Sequence, residues 1–320
     1  MRVLQFAQGA WRPASGLAPE AARDLAWGPT HVWIRLEGLA QEKLDALAAV
    51  FNLHPLAVED VRSHRQRPKV EDYEDLTFVV ARAPRWNRAT DEVTWLTVGL
   101  FLGPDFLITA CTDPVAELDL VERRLLNTRA SNKTSTIDHV FYQVLDTIVD
   151  AYFPLLDELE DRIEAIEDGV LEGADRNELE KIQQFKGIVS QIRKTIFPMR
   201  EAMVALEKGE HPNIREETCI YLRDVADHTT RLAERLEHVK ELAVLAQETY
   251  NATLANHTNE ALRRLTIVTV VFMFTGLLAS LGGMTEFAHL PRGWSFFAVS
   301  GSILVLTGLG LAFALRPRRV

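Results

Sequence analysis

Sixty-three consecutive residues, Asn213 to Thr275, contain neither Pro nor Gly, and this stretch passes from charged to wholly apolar near Leu265 without losing helical periodicity. Pro and Gly are the residues that most readily end a helix, so the stretch is expected to form one uninterrupted rod. At about 1.5 Å per residue it would run for roughly 95 Å, against about 30 Å for the hydrocarbon core of a bilayer. About two thirds of it must therefore stand in water while its apolar end enters a membrane.

From Leu265 to Gly283 there are nineteen residues without a charge, and from Trp294 to Leu315 there are twenty-two. Both reach the length of a spanning helix. The segment between them, Met284 to Gly293, is too short for a domain and reads as a tight loop, so both chain ends share one side. Arg263 and Arg264 precede the first span and Arg316, Arg318 and Arg319 follow the second, whereas the loop offers Arg292 against Glu286. The basic bias predicts cytosolic N- and C-termini and a multi-pass protein of the inner (plasma) membrane. Met1 to Pro13 lacks a basic region followed by an apolar run, so no signal peptide is expected.

The remaining residues, roughly 1–260, are enough for a substantial core. Two isolated cysteines, Cys111 and Cys219, make neither a disulfide framework nor a cysteine metal site. A net charge of −10 argues against nucleic acid and makes cations the natural partners. The chain has no HExxH, nucleophile elbow, phosphate-binding glycine loop or paired Cys/His motif, so no enzyme is expected.

Short β-branched or aromatic runs at Val32–Leu36, Leu76–Ala81, Val93–Phe101 and Phe106–Thr109, with a helical pattern at Gln41–Phe51, predict a small cytosolic domain mixing helix and strand over residues 1–134. Strand signals then cease. Ile137–Gly169 and Asp175–Leu206 read as an acidic helical hairpin within 135–210, rich in Asp157, Glu158, Glu160, Asp161, Glu164, Glu167 and Asp168. A stalk helix over 211–264, the spans 265–283 and 294–315, the loop 284–293 and a basic tail 316–320 complete the α+β architecture. On the stalk, Leu222, Val225, Leu232, Leu236, Val239, Leu242 and Leu245 form a stripe whose partner could be the same chain or another.

In and before the first span, Asn259, Leu262, Thr266, Thr269, Met273, Gly276, Ser280 and Gly283 recur at steps of three and four, on one side of a helix. That side is small and polar. It suits close helix packing, or it lines a pathway if several copies surround an axis, because two spans cannot enclose one alone. Carbonyls freed at Gly282 and Gly283 would then add oxygen dipoles at the mouth, while Leu262 and Met273 would form apolar constrictions.

These segments resemble the CorA family of divalent-cation channels. Asn259-Glu-Ala-Leu-Arg-Arg-Leu-Thr266 and Gly283-Met284-Thr285 look like the stalk end and the Gly-Met-Asn signature of that family. Leu53-His-Pro-Leu-Ala-Val-Glu-Asp60, Gln66-Arg-Pro-Lys-Val-Glu-Asp-Tyr73, Arg193-Lys-Thr-Ile-Phe-Pro-Met-Arg200 and Tyr221-Leu-Arg-Asp-Val-Ala-Asp-His228 are similar to its cytosolic part. The resemblance implies a funnel-shaped homopentamer in a lipid bilayer, importing Mg2+ or Co2+ down the membrane potential. It also implies pore-lining roles for Asn259, Leu262, Leu265, Met273, Gly276 and Gly283.

Thr285 stands where the family's filter asparagine would be, and its shorter hydroxyl offers a weaker dipole to a hydrated ion. Glu286 could compensate with an anionic ring. The family's zinc-transporting branch, typified by ZntB, also varies this triplet, so Zn2+ in place of Mg2+ stays open, as does a proton-coupled carrier. For regulation by cytosolic metal the resemblance implies Asp224, with Glu248 further along the stalk and Asp91 as a substitute ligand on the partner loop. Asp224 and His228, four apart, could share that metal or simply form an ion pair. A membrane-anchored metal sensor that no longer transports is the alternative that Thr285 motivates.

Overall fold

The computed structural model describes residues 1–14, 18–26, 30–38, 41–63, 66–87, 92–127, 136–282, 301–302, 304–305 and 307–310. The chain divides into two compact units, one of Met1–Ile166 with Glu180–Ala246 and one of Glu167–Leu179 with Gln247–Val320.

The first unit is built on a seven-stranded sheet in the order β2-β1-β3-β7-β6-β5-β4. Its strands are β1 (Arg2–Ala7), β2 (Ala10–Pro13), β3 (Val32–Glu37), β4 (Lys69–Tyr73), β5 (Leu76–Asn87), β6 (Glu92–Leu102) and β7 (Phe106–Cys111). β3 and β7 run parallel and the other described neighbours antiparallel. Alternation along each strand separates two faces. Val32, Ile34 and Leu36 of β3 join Phe106, Ile108 and Ala110 of β7 in an apolar cluster with α1 (Pro19–Ala26), α2 (Gln41–Phe51) and α3 (Pro55–Arg62). α3 sits so close to β6 that a Cβ at Gly99 would lie 2.2 Å from Val61 Cγ2.

The opposite face carries Trp33 and Arg35 beneath α4 (Ala116–Asn127) and α5 (Ile137–Asp150). Arg35 is fully buried, a costly place for a charge unless it is paired. Asp119 Oδ1 at 2.8 Å, the Leu118 carbonyl at 3.2 Å, Glu37 and Glu122 surround it, and Arg2 reaches Asp119 at 3.0 Å.

β5 and β6 pair from Thr77↔Leu102 out to Asn87↔Glu92, whereas β4 accompanies β5 only to Val80 and β7 accompanies β6 only to Val98. The hairpin thus continues as a two-stranded arm, which would be marginal alone. Trp95 stacks on Tyr152 at 6.0 Å, Arg162 lies over Trp86 at 6.0 Å, and the Tyr152 hydroxyl donates to the Arg82 carbonyl.

The arm expected at Ile137–Gly169 is two helices, α5 and α6 (Tyr152–Glu172), interrupted at Ala151. Pro154 has no N–H to donate to Asp150 and its ring crowds that carbonyl, which breaks the ladder one turn earlier. α7 spans Arg176–Lys208 with Pro198 inside it. α8 runs unbroken from Glu216 to Gly282, 67 residues, through the Pro- and Gly-free stretch and on past Gly276. Leu222, Val225, Leu232, Leu236 and Val239 of its stripe are buried within this chain, while Leu245 is exposed. Among the described residues no helix is long and apolar enough to cross a membrane. The expected first span ends outside those residues, and most of the second lies outside them.

Candidate cation site and the bare side of α8

Asp138, Tyr142, Asp146 and Asp150 are spaced by four along α5, which sets them on one face of the helix. That face meets the first turns of α8, and the two helices run in the same direction, because Asp138 touches Thr218 while Asp150 faces His228.

At the start of the seam, Asp138 accepts from the Arg215 backbone N–H (3.2 Å), Arg215 Nε (3.3 Å) and Nη2 (2.8 Å), and Thr218 Oγ1 (2.6 Å). Burial alone would raise this carboxyl, but the hydrogen bonds from Arg215, Thr136 and Thr218 outweigh it and bring it down to about 2. One turn on, Tyr142 and Tyr221 pack at 5.1 Å and His139 meets Tyr221 at 5.2 Å. Further along, Arg235 of α8 holds Glu160 of α6 with two bonds, 3.1 and 2.7 Å, and Asp157 at 2.7 Å.

Between these arginine-matched contacts the seam is anionic. Asp146, Asp150 and His228 each offer a ligand atom within 4.8 Å of the others. His228 Nδ1 lies 3.5 Å from Asp150 Oδ1 and Nε2 lies 3.7 Å from Asp224 Oδ2. Nδ1 is buried and makes no hydrogen bond, and the ring stands edge-on to Phe153 at 5.8 Å. Burial, then Asp150 and Asp224, push the Asp146 carboxyl up to about 6, with His228 and Arg124 opposing. Burial and the same carboxylates raise the Tyr142 phenol to about 12.

Three carboxylates face one imidazole, with Arg124 also acting on Asp146, and a divalent cation would correct the remaining excess of negative charge. Opposite ligands of an octahedral Mg2+ lie about 4.2 Å apart, so the present separation needs only a small closure. Sequence reasoning paired Asp224 with His228 and missed Asp146 and Asp150. The available signal was two aspartates at a four-residue step inside the apolar run Val144-Leu-Asp-Thr-Ile-Val-Asp150. Glu248 is exposed several turns further along α8, and Asp91 lies outside the described residues.

The second region of interest is α8 beyond Gln247. At 100° per residue, Thr258, Asn259, Leu262, Leu265, Thr266, Thr269, Met273, Gly276 and Ser280 share an arc of about 120°, and each of them is exposed. Leu262 is 54%, Leu265 62% and Met273 72% exposed. The partly covered residues, Ile267, Val268, Val271 and Thr275, occupy the opposite side. Val271 there meets the C-terminal helical residues, where a Cβ on Gly310 would fall 2.8 Å from its Cγ2. Gly283, Met284, Thr285 and Glu286 lie outside the described residues.

The chain matches the CorA-like Mg2+ transporter protein family over residues 29–316. It is 30% identical over 284 residues to the cobalt/magnesium transport protein CorA of Thermotoga maritima, covering 87% of this chain and 81% of that one. The fold is similar to the CorA magnesium transporter of Methanocaldococcus jannaschii, with a TM-score of 0.78 at 19% identity over 98% of this chain and 96% of the other. It is also similar to the ZntB cytoplasmic domain of Vibrio parahaemolyticus, with a TM-score of 0.66 at 14% identity over 80% and 98%. Both likenesses concern the fold and do not choose between magnesium and zinc. The breadth of the family match and the 30% identity to a relative covered to 81% make this chain a member of the CorA-like Mg2+ transporter family, and not an enzyme.

Proposed function

We propose that this chain forms a membrane channel for divalent cations, Mg2+ and Co2+ foremost, assembled as a homopentamer with the bare side of α8 turned to a shared axis. The observation that carries this reading is the contrast across α8: the side bearing Leu262, Thr269 and Met273 is uncovered, while Val271 on the opposite side has a partner in the same chain. An uncovered apolar and hydroxyl-bearing stripe in such a helix calls for further copies around it. Leu262, Leu265 and Met273 form apolar constrictions, and Asn259, Gly276, Ser280 and Gly283 line the wider stretches.

Met284, Thr285 and Glu286 shape the entrance between the spans 265–283 and 294–315, with both termini in the cytosol. Import follows the membrane potential, since moving two charges across 100 mV is worth about 4.6 kcal/mol. Glu248, about 30 Å beyond His228 along α8, belongs to a separate acidic position. Cytosolic metal bound among Asp146, Asp150, Asp224 and His228, with Asp91 as the ligand expected from the partner loop, corrects the seam's charge and favours the closed state. Loss of that metal opens it. The test is uptake of Mg2+ and Co2+ into proteoliposomes, and uptake no greater than in empty vesicles ends this reading.

A second reading, Zn2+ transport as in the ZntB branch, is favoured by the imidazole of His228 within the carboxylate cluster, a donor that suits Zn2+ better than Mg2+. Competition between Mg2+, Co2+ and Zn2+, with and without a pH gradient, separates the two. A silent wild type that Thr285→Asn revives points instead to a sensor that has lost transport.

A further inference from the structure

The candidate ligands come from two helices, Asp146 and Asp150 from α5 and Asp224 and His228 from α8, so their spacing depends on how α8 is set along α5. Directional contact between the two helices is concentrated at Asp138. This residue is 2% exposed and accepts from the Arg215 backbone N–H, from Arg215 Nε and Nη2 and from Thr218 Oγ1. The ring contacts of Tyr221 with Tyr142 and His139 fill the next turn but carry no directional bond that would resist sliding. Arg235 fastens α8 to α6, across the interruption at Ala151, and not to α5 itself. From Asp138 to Asp146, and from Thr218 to Asp224, is about 12 and about 9 Å of unbroken helix, so the position set at Asp138 is carried to the cluster.

We infer that Arg215, which lies outside the cluster, is a positioning residue for the cation site: through Asp138 it sets the register of α8 on α5 and so the spacing of Asp224 and His228 from Asp146 and Asp150. The inference rests on the regulatory cation reading above and adds the group that decides which ion the cluster prefers. Sliding by one residue displaces a ligand by about 1.5 Å and turns it by about 100°, against roughly 0.5 Å of tolerance in a site of fixed geometry. Mg2+ demands near-ideal octahedral geometry, whereas Ca2+ accepts varied arrangements of oxygen. A seam held in register therefore favours Mg2+, and a loosened one surrenders that preference. Lysine at this position keeps the charge but not the fork that grips both carboxylate oxygens.

The test is the melting temperature of the full-length protein in detergent, titrated with Mg2+ and separately with Ca2+. The response missing from Asp146→Asn belongs to the site. In Arg215→Lys the Mg2+ concentration giving half of that response should rise about tenfold, and the Ca2+ concentration by no more than about twofold. Thr218→Val, which removes one of the donors to Asp138, should shift Mg2+ in the same sense by less, and Thr218→Ser should match the wild type. Leu47→Ala empties a fully buried position in α2 and should lower the melting temperature while leaving both half-points in place. An unchanged Mg2+ half-point in Arg215→Lys, equal shifts for the two ions, or the same shift in Leu47→Ala overturns the inference alone. A wild type whose Mg2+ response equals that of Asp146→Asn overturns the cation-site reading and this inference with it.

Discussion

The two halves of α8 carry the same kind of apolar periodicity and meet opposite fates. From Leu222 to Val239 the stripe is buried by its own chain, whereas from Leu254 to Leu277 large apolar side chains stand exposed. Periodicity dictates which residues share a side, and the supply of partners dictates whether that side is covered. In the first half, α5 and α6 provide the partners, through the Asp138–Arg215 and Glu160–Arg235 contacts. In the second half the chain partly covers Ile267, Val268, Val271 and Thr275 and leaves the side bearing Leu262, Thr269 and Met273 to something outside itself.

The contrast can be broken most decisively by truncation. Leu232→Ala removes a buried side chain and should destabilise the protein by about 3 kcal/mol, while Leu262→Ala should stay within about 0.5 kcal/mol. Urea unfolding of both variants measures the difference, and equal losses would mean that the second half is covered after all.

Asp138→Asn tests how firmly the first half is fastened. It strips Arg215 and Thr218 of their acceptor and should cost about 1–2 kcal/mol at neutral pH, since Arg215 is half-exposed and partly screened. The Asp138 carboxyl is held down to about 2 when folded. Its contribution is therefore present above the ordinary carboxylate range near 4 and is lost as pH falls toward about 2. Wild type and variant should converge in thermal melts taken at progressively lower pH.

The smallest effect belongs to Asp146→Asn. This carboxyl is raised to about 6, so its charge opposes folding above that pH and the wild type gains stability as pH falls through about 6. In metal-free buffer at pH 7.5 the variant should melt slightly higher than the wild type, and the gain should shrink below about pH 6 and vanish toward about pH 4, the ordinary carboxylate range. Added Mg2+ should stabilise the wild type and leave the variant nearly unmoved. A wild type indifferent to Mg2+ would remove the cation site.

Much of the architecture was legible because it rests on strong local rules. Freedom from Pro and Gly predicted α8, and the β-branched runs marked the cores of β3, β5, β6 and β7. β1, β2 and β4 escaped because they are short and carry polar residues on a sheet edge or beside it, where pairing rather than composition makes the strand. The interruption at Ala151 follows from Pro154, whose effect falls several residues before it. Asp146 and Asp150 were hidden for a different reason: each looks like an ordinary helix surface residue until α8 brings Asp224 and His228 beside it. The bare side of α8 was visible as a pattern, but its exposure depends on which side Val271 turns to the C-terminal helical residues.

The arginine contacts at Arg215 and Arg235 lie at either end of the anionic stretch of α8. A beam clamped at two points and loaded between them cannot swing; it can only bow. Repulsion among Asp146, Asp150 and Asp224 can therefore be relieved only within the turns between the two clamps.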